Sequence, residues 1–392
     1  MTILVISTAF LVRILFNVYV VGIEEPGLGV FPDSKEYDAL GWSLASGRGF
    51  GIDEVPSTYR APGYPFFLSI IYVLFGHSYA AVKIIQSLIG SLTCLFVFLI
   101  GERLFTKRVG VIGAGVAAVY PYLVVYTGVL LSETLFVFLS MGFLYLLVRL
   151  SPAFTWWQAG SAGLLLGAMN LTRPVILLFP IFLFFWGWVR FGTKVKAAIL
   201  TGVVLGSMCL VVLPWTLRNY LVTGSFVLIA AHPIWGALYG ANNPTIVQDP
   251  DTIGGWVPPE QMEDPRSAYL SFMQHYFLHE PLELLRLELH KLKRFWSVFP
   301  KTTYRDRVIS LFSYGLLLPL FLTGVVLSLQ LPEKPWILLT WILYFNLIAL
   351  VFYGSTRFRL PVEPVLILFG AFALDRFAVR FRVVRNDPRP TG

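Results

Sequence analysis

The chain has 392 residues, of which 56% are hydrophobic, 16% aromatic and only 13% charged. A soluble globular chain carries roughly 25% charged residues, so a water-soluble domain is excluded. The mean hydropathy of +0.72 leaves room for about ten apolar helices of roughly 20 residues each. Long apolar segments, rather than short alternating ones, also exclude an outer-membrane barrel. The net charge of +8 does not mark a nucleic-acid partner, because the lysines and arginines lie mostly at the borders of the apolar runs. Cys94 and Cys209 both fall inside such runs, which excludes a disulfide-stabilised ectodomain and a cysteine zinc site.

In chain order, the run 3–22 lacks a basic leader and a small-residue exit, and it reads as an uncleaved first span. Further spans are expected at 66–76 running with 80–101, then at 109–126, 132–149, 157–172, 174–190, 197–216, 308–329, 336–353 and 361–378, which makes ten. With the N-terminus in the cytoplasm, thirteen basic residues fall on the inner side, from Arg103, Lys107 and Arg108 to Arg385 and Arg389. Six fall in the short outer segments: Lys35, Arg48, Arg60, Arg173, Arg357 and Arg359. The positive-inside rule favours that orientation.

Two outer segments exceed simple connectors. The first, 23–65, carries seven acidic residues, including Asp33, Glu36 and Asp38, against three basic ones. Its stretch 34–46 has Tyr37, Leu40, Leu44 and Ala45 at near-helical spacing, which predicts a short amphipathic helix on the bilayer surface. The second, 217–307, is expected to be a small mixed domain, turn-rich around Gly240–Pro244 and Asp251–Gly255, with two helices divided at Pro281 between Pro265 and Trp296. No internal repeat is evident, which disfavours symmetric transporter folds. The tail from Asn386 to Gly392 reads as disordered. The fold class is therefore an all-α polytopic membrane protein with segments 1–216, 217–307, 308–378 and a tail at 379–392.

Polar residues in such a chain need a reason. Asp33, following the first span, is either a helix N-cap or a poised base. Glu133, in Leu130-Leu-Ser-Glu-Thr-Leu135, is either a functional membrane-edge carboxylate or a helix-start residue that suits the dipole. The run Tyr59-Arg-Ala-Pro-Gly-Tyr-Pro65 fixes a rigid turn around one guanidinium, whose planar fork suits a lipid phosphate; a snorkelling interfacial arginine is the plainer reading. Arg173, Arg218, Arg357 and Arg359 lie at outer span ends, against the positive-inside trend, and suggest an anionic ligand or pairing with a headgroup or loop carboxylate. Asp249-Pro-Asp251 reads as a surface turn. His275 and His279 lack a third ligand, and Arg13 is expected to pair with a carboxylate or carbonyl inside the bundle. Phosphate-binding glycine loops are absent, which removes nucleotide-driven chemistry.

The order of these motifs resembles the C-type integral-membrane glycosyltransferases. The resemblance runs from Pro32-Asp-Ser-Lys-Glu-Tyr37 and Arg60-Ala-Pro-Gly-Tyr-Pro65 through Leu131-Ser-Glu-Thr134, Leu171-Thr-Arg-Pro174 and Pro214-Trp-Thr-Leu-Arg-Asn219 to Gly240-Ala-Asn-Asn-Pro244 and Arg357-Phe-Arg-Leu-Pro361. It is nearest to the bacterial branch of protein O-mannosyltransferases and aminoarabinose transferases. That family implies a polyprenyl-phosphate-linked sugar donor, an envelope lipid, glycan or protein as acceptor, inversion at the anomeric carbon, and a site facing the exterior of the cytoplasmic membrane. It puts the catalytic carboxylates on Asp33 and Glu133 and the basic residue of its turn before the second span on Arg60; Arg173, Arg218, Arg357 and Arg359, from their place at outer span ends, are further candidates for binding the donor phosphate. Glu36, Tyr37, Tyr59, Tyr64, Asn242 and Asn243 are candidates for contacting donor or acceptor. Asp33 is followed by Ser34 rather than a second carboxylate, so no cofactor is expected and a divalent metal is not favoured. A flippase for an anionic lipid-linked sugar would use the same arginines without a base, and a noncatalytic envelope scaffold would rest on segment 217–307.

Overall fold

The computed structural model describes residues 2–25, 32–53, 55–151, 155–231, 234–248, 264–299 and 304–386. Helix α1 (Thr2–Phe16) runs on into one π turn at Asn17–Val21, and α2 (Pro32–Ala45) follows in the first long loop. A two-residue hairpin, β1 (Gly51–Ile52) and β2 (Val55–Pro56), is the one sheet among the described residues. After it come α3 (Gly63–Phe75), α4 (Tyr79–Leu104), α5 (Lys107–Val119), α6 (Pro121–Val125), α7 (Glu133–Arg149), α8 (Trp156–Thr172), α9 (Phe179–Phe191) and α10 (Lys194–Thr223). The second long segment holds α11 (Ile234–Ala241), α12 (Pro244–Gln248), α13 (Pro265–His279) and α14 (Pro281–Phe295). The chain ends with α15 (Tyr304–Ser310), α16 (Leu316–Ser328), α17 (Trp336–Val351) and α18 (Glu363–Asn386).

Helices stand at every expected span. By length and composition, five described helices suffice to cross a membrane: Ile3–Val21, Tyr79–Leu104, Pro174–Phe191, Lys194–Thr223 and Arg307–Ser328. A sixth is the pair Lys107–Val119 and Pro121–Gly128, bent by 56° where Pro121 interrupts the backbone ladder. The protein is therefore a multi-pass membrane protein. Its cuts follow local chemistry. Ser78, Thr106 and Thr193 cap α4, α5 and α10 through their hydroxyls, and Gly192 and Gly224 end α9 and α10 in left-handed conformation.

The expected continuous span 66–76 with 80–101 is corrected. Gly76, at φ 71°, separates α3 from α4. The end of α3 is tied to α2, because the Asp38 carboxylate accepts hydrogen bonds from Tyr72 (2.6 Å) and Tyr79 (3.1 Å) and faces His77 Nε2 at 2.9 Å. Its start, Gly63, lies against Leu171 and Thr172 at the end of α8. Both ends of α3 thus stay at the loop-bearing end of the bundle, and Phe66, Ile70, Val73 and Leu74 remain exposed along it. The expected amphipathic helix is α2, but its apolar face is packed on protein: Tyr37 joins the main core, and Leu40 meets Phe50 and Trp215. The regular elements in the described part of 217–307 are helices, divided at Pro281 as expected, with no strand. Asp249–Asp251, Gly254 and Gly255, and the tail beyond Asn386 lie outside the described residues.

Lipid provides little hydrophobic drive between helices, so close approach needs small residues. A Cβ on Gly163 of α8 would come within 2.4 Å of Val204 O on α10, and one on Gly324 of α16 within 1.9 Å of Phe369 O on α18. Arg13, buried in α1, donates to Ala9 O (3.0 Å), Ala118 O (2.9 Å) and Ala117 O (3.2 Å). The last two are among the carbonyls that α5 leaves unpaired where it stops, so the expected partner is carbonyl rather than carboxylate.

Gly324→Ala should cost about 1–3 kcal/mol through forced separation of α16 and α18, read as a lower melting temperature in detergent. Gly202→Ala, where nothing lies within 4 Å of the added Cβ, should not lower it, since alanine is the better helix former.

Candidate active site

Five charged residues from distant parts of the chain meet at the loop-bearing end. Asp33 stands in the first turn of α2, Arg60 in the turn that leads into α3, and Glu133 at the first position of α7. Arg173 follows the last residue of α8, where Pro174 prevents continuation, and Arg357 sits in the 3₁₀ turn Thr356–Arg359 between α17 and α18. The contact of Gly63 with Leu171 and Thr172 draws the Arg60 turn beside Arg173. Tyr344 of α17 donates to Val175 O at 2.6 Å and Trp341 to Pro361 O at 3.0 Å, which fixes the Arg357 turn against the same place.

The geometry alternates charge. Arg60 Nη2 donates to Asp33 Oδ1 at 2.8 Å, and Arg60 Nε to Glu36 Oε2 at 2.6 Å. Arg357 Nη1 donates to Asp33 Oδ2 at 3.0 Å, while its Nε donates to Glu133 Oε1. Arg173 Nη1 reaches that same Glu133 oxygen at 2.6 Å. Arg357 therefore joins both carboxylates, across 324 residues to Asp33 and 224 to Glu133. The Glu133 side chain is only 2% exposed, and its Oε2 is buried without a hydrogen-bond partner among the described residues.

Aromatic rings flank this network. The Arg60 guanidinium lies 5.2 Å from the centroid of Tyr59 and 5.6 Å from that of Tyr37, and Tyr37 meets Tyr64 edge-on at 5.1 Å. Arg173 lies 5.4 Å over Phe358. Burial pushes the Asp33 carboxyl up, but Arg60 and Arg357 outweigh that and hold its pKa below the ordinary value. Asp33 thus engages two guanidinium groups rather than acting as a free N-cap.

Other expected site residues are used elsewhere. Arg218 donates to Ser57 O (2.6 Å) and Phe50 O (2.8 Å) and stacks 4.8 Å over Trp215, fastening the hairpin to α10. Arg359 is fully buried, paired with Glu363 at 2.7 Å and lying 3.5 Å over the Tyr314 ring. Asn242 donates to Leu238 O and Val351 O and accepts from Lys291, and Asn243 caps α12 through Ile246 N. His275 and His279 are exposed and stack on one another.

Two positioning residues went unnoticed in the sequence. Gln86 accepts from Tyr64 at 2.8 Å and donates to Thr127 O and Val129 O, fixing the turn ahead of Glu133. Lys83 donates to Gly22 O and Glu25 O, fixing the chain as it leaves α1. Both are long polar side chains inside an apolar run, the signal that would have found them.

The fit to a divalent metal is poor. No group of three or more His, Cys, Asp or Glu side chains is gathered among the described residues. Both Asp33 oxygens carry guanidinium bonds, and Glu36 and Glu133 each give one oxygen to an arginine, so the carboxylates of the cluster are turned to cations rather than gathered around one point. An apolar groove of about 600 Å³ opens between α9 and α10, lined by Leu177, Leu178, Ile181, Phe184, Phe185 and Leu205 among others. It begins one turn of chain beyond Arg173.

Residues 59–215, less than half of the chain, match the sequence family described as dolichyl-phosphate-mannose-protein mannosyltransferase. Among solved structures, ArnT from Cupriavidus metallidurans bound to undecaprenyl phosphate superposes with a TM-score of 0.59 at 16% identity, over 98% of this chain and 61% of that one. The oligosaccharyltransferase AglB from Archaeoglobus fulgidus, in complex with an inhibitory peptide and a dolichol-phosphate, gives 0.58 at 17% identity, over 100% and 52%. The chain therefore spans about half to three fifths of the length of these proteins. No curated protein matches by sequence. The likeness shows the fold, that of the C-type glycosyltransferases which the motif order resembles.

Replacing Glu133 by Gln leaves Arg173 and Arg357 without their shared buried anion, and breaking such a pair costs about 3–5 kcal/mol. Thermal unfolding in detergent should show that loss, while Glu133→Gln combined with Arg173→Met should recover part of it. A Glu133→Gln protein as stable as the parent would mean the network does not hold the fold.

Proposed function

We propose that the protein is a membrane glycosyltransferase that moves a sugar from a polyprenyl-phosphate donor to an envelope acceptor at the exterior face of the cytoplasmic membrane. The observation that carries this reading is the pair of carboxylates, Asp33 and Glu133, held by Arg357 with Arg60 and Arg173 on either side. The family match across residues 59–215 includes Arg60, Glu133 and Arg173, and one structural neighbour is bound to undecaprenyl phosphate; both support a lipid-linked donor.

Glycosyl transfer passes through an oxocarbenium-like state, so an inverting enzyme needs a base on the acceptor side and cations on the departing phosphate. Arg60, Arg173 and Arg357 take the phosphate oxygens, and the groove between α9 and α10 takes the isoprenoid tail. The phosphate competes with Asp33 for Arg60 and Arg357, and exchange of partners frees the carboxylate as a base. Asp33 then takes the acceptor hydroxyl proton as the new oxygen–carbon bond forms and the anomeric carbon–phosphate oxygen bond breaks, releasing polyprenyl phosphate. Glu133 Oε2, buried and unpartnered among the described residues, is available to accept from a sugar hydroxyl. Sugar, acceptor and polyprenol length are set by groups that contact those parts directly.

The deciding experiment is transfer by reconstituted protein from a set of polyprenyl-phosphate sugars. Asp33→Asn should abolish transfer while donor binding stays within a few fold or tightens, because the base acts in the transition state. In the same titration Arg60→Ala should weaken donor binding and Arg60→Lys restore only part of it, since a point charge lacks the planar fork. Normal turnover by Asp33→Asn would remove the base assignment.

The pH profile tests the exchange of partners. In the free protein Asp33 is held ionised below its ordinary range, so kcat/KM should keep its base down to below about pH 4. In the donor complex the arginines have turned to phosphate and burial dominates, so the acid limb of kcat should lie at higher pH. Coincident limbs would contradict the exchange.

Transfer should also survive exhaustive EDTA treatment, because the arginines neutralise the leaving phosphate. Loss on chelation, with recovery on adding Mg²⁺ or Mn²⁺, would make Asp33 a metal ligand instead.

A further inference from the structure

Helices α13 and α14 form a corner that water does not explain. Leu282, Leu285 and Leu289 of α14 are 68%, 53% and 56% exposed, and Phe277 and Leu278, at the end of α13, are 68% and 62% exposed. On α14 the exposed positions after Pro281, namely 282, 285, 286, 289 and 293, recur at i, i+3, i+4, i+7 and i+11, which is one face of a helix. That face carries three leucines with Arg286 and Lys293. The carboxylates of the helix, Glu283 and Glu288, stand off to either side of it at 100° per residue, Glu283 reaching round to bond Arg286 and Glu288 bonding Lys291.

The position of α14 relative to the bilayer follows from its attachments. Lys291 donates to Leu350 O at 2.8 Å, and its own carbonyl lies so close to Gly354 that an added Cβ there would come within 2.0 Å. Trp296 donates to Asn346 Oδ1 at 2.7 Å, inside α17. The C-terminal part of α14 is thus sunk against the last turns of α17. That helix has 16 residues, about 24 Å at 1.5 Å per residue, whereas the hydrocarbon core is about 30 Å thick. The structure attached at the end of α17 thus sits where the membrane helices meet the bilayer border. Leu289 and Leu285 lie two and six residues from Lys291, about 3 and 9 Å along the helix axis, close to that attachment.

We propose that the exposed face of α14, with the α13–α14 corner, rests on the lipid of the membrane the protein spans, its leucines among the upper acyl chains and Arg286 and Lys293 at anionic headgroups. An apolar stripe edged with basic residues is the composition of a helix lying in the interface. It anchors the second long segment to the bilayer at a point separate from the carboxylate site.

The test places an environment-sensitive nitrobenzoxadiazole probe on Leu285→Cys in a Cys209→Ser background, Cys94 being fully buried, with the protein reconstituted into phosphatidylcholine vesicles with or without phosphatidylglycerol. The probe should be quenched by lipids brominated in the upper acyl chain and be severalfold less accessible to iodide than in detergent-free denaturant. Phosphatidylglycerol should strengthen the acyl-chain quenching, and Arg286→Glu with Lys293→Glu should weaken it. A probe open to iodide and blind to brominated lipid would overturn the proposal. So would a probe shielded from both while two copies cross-link through position 285, since a second copy would then cover the face.

Discussion

The shared guanidinium of Arg357 is the interaction on which the loop-bearing end depends. One side chain bonds the carboxylate of α2 and the carboxylate of α7, and it stands in a turn that Trp341 of α17 ties down at Pro361 O, while Tyr344 of the same helix bonds Val175 O beside Arg173. Buried charge is tolerated only when it is paired and hydrogen-bonded, so Glu133 requires Arg173 and Arg357 as much as they require it. The first loop, the start of α7, the end of α8 and the turn before α18 are bound together by that requirement.

The surrounding groups are tied down in the same way. Arg60 is fixed between two aromatic rings, and the turn that carries it packs on Thr172 through a glycine with no room for a side chain. Gln86 fixes the turn before Glu133 from inside α4. Asp38, one and a half turns after Asp33, ties the middle of α2 to the junction of α3 and α4 through two tyrosines and a histidine. Each hydrogen bond is modest alone, but together they leave the charged groups few alternative positions, which is the preorganisation that electrostatic catalysis uses.

Polar satisfaction also separates residues that look alike in the sequence. Arg173, Arg218, Arg357 and Arg359 all follow apolar runs, yet two meet the carboxylates and two hold the scaffold. Arg218 bonds the carbonyls of Phe50 and Ser57 that flank the hairpin, and Arg359 neutralises Glu363 deep in the packing beside Tyr314. The difference lies in what stands opposite each guanidinium.

Composition and hydropathy by themselves determined the all-α membrane class, the placement of the helices and the two long segments, because burial in lipid forces apolar helices of set length. The division at Pro281 and the interest of Asp33, Arg60 and Glu133 were legible as well, since proline geometry and charge beside an apolar run are local signals. The separation of α3 from α4 was not, because an apolar helix on the surface and one that spans have the same composition. Nor was the sorting of the arginines, or the N-cap reading of Asp33 against its ion pairs. Partners 324 residues apart leave no periodicity in the chain, and only the packing of α8, α17 and α18 decided which charges meet.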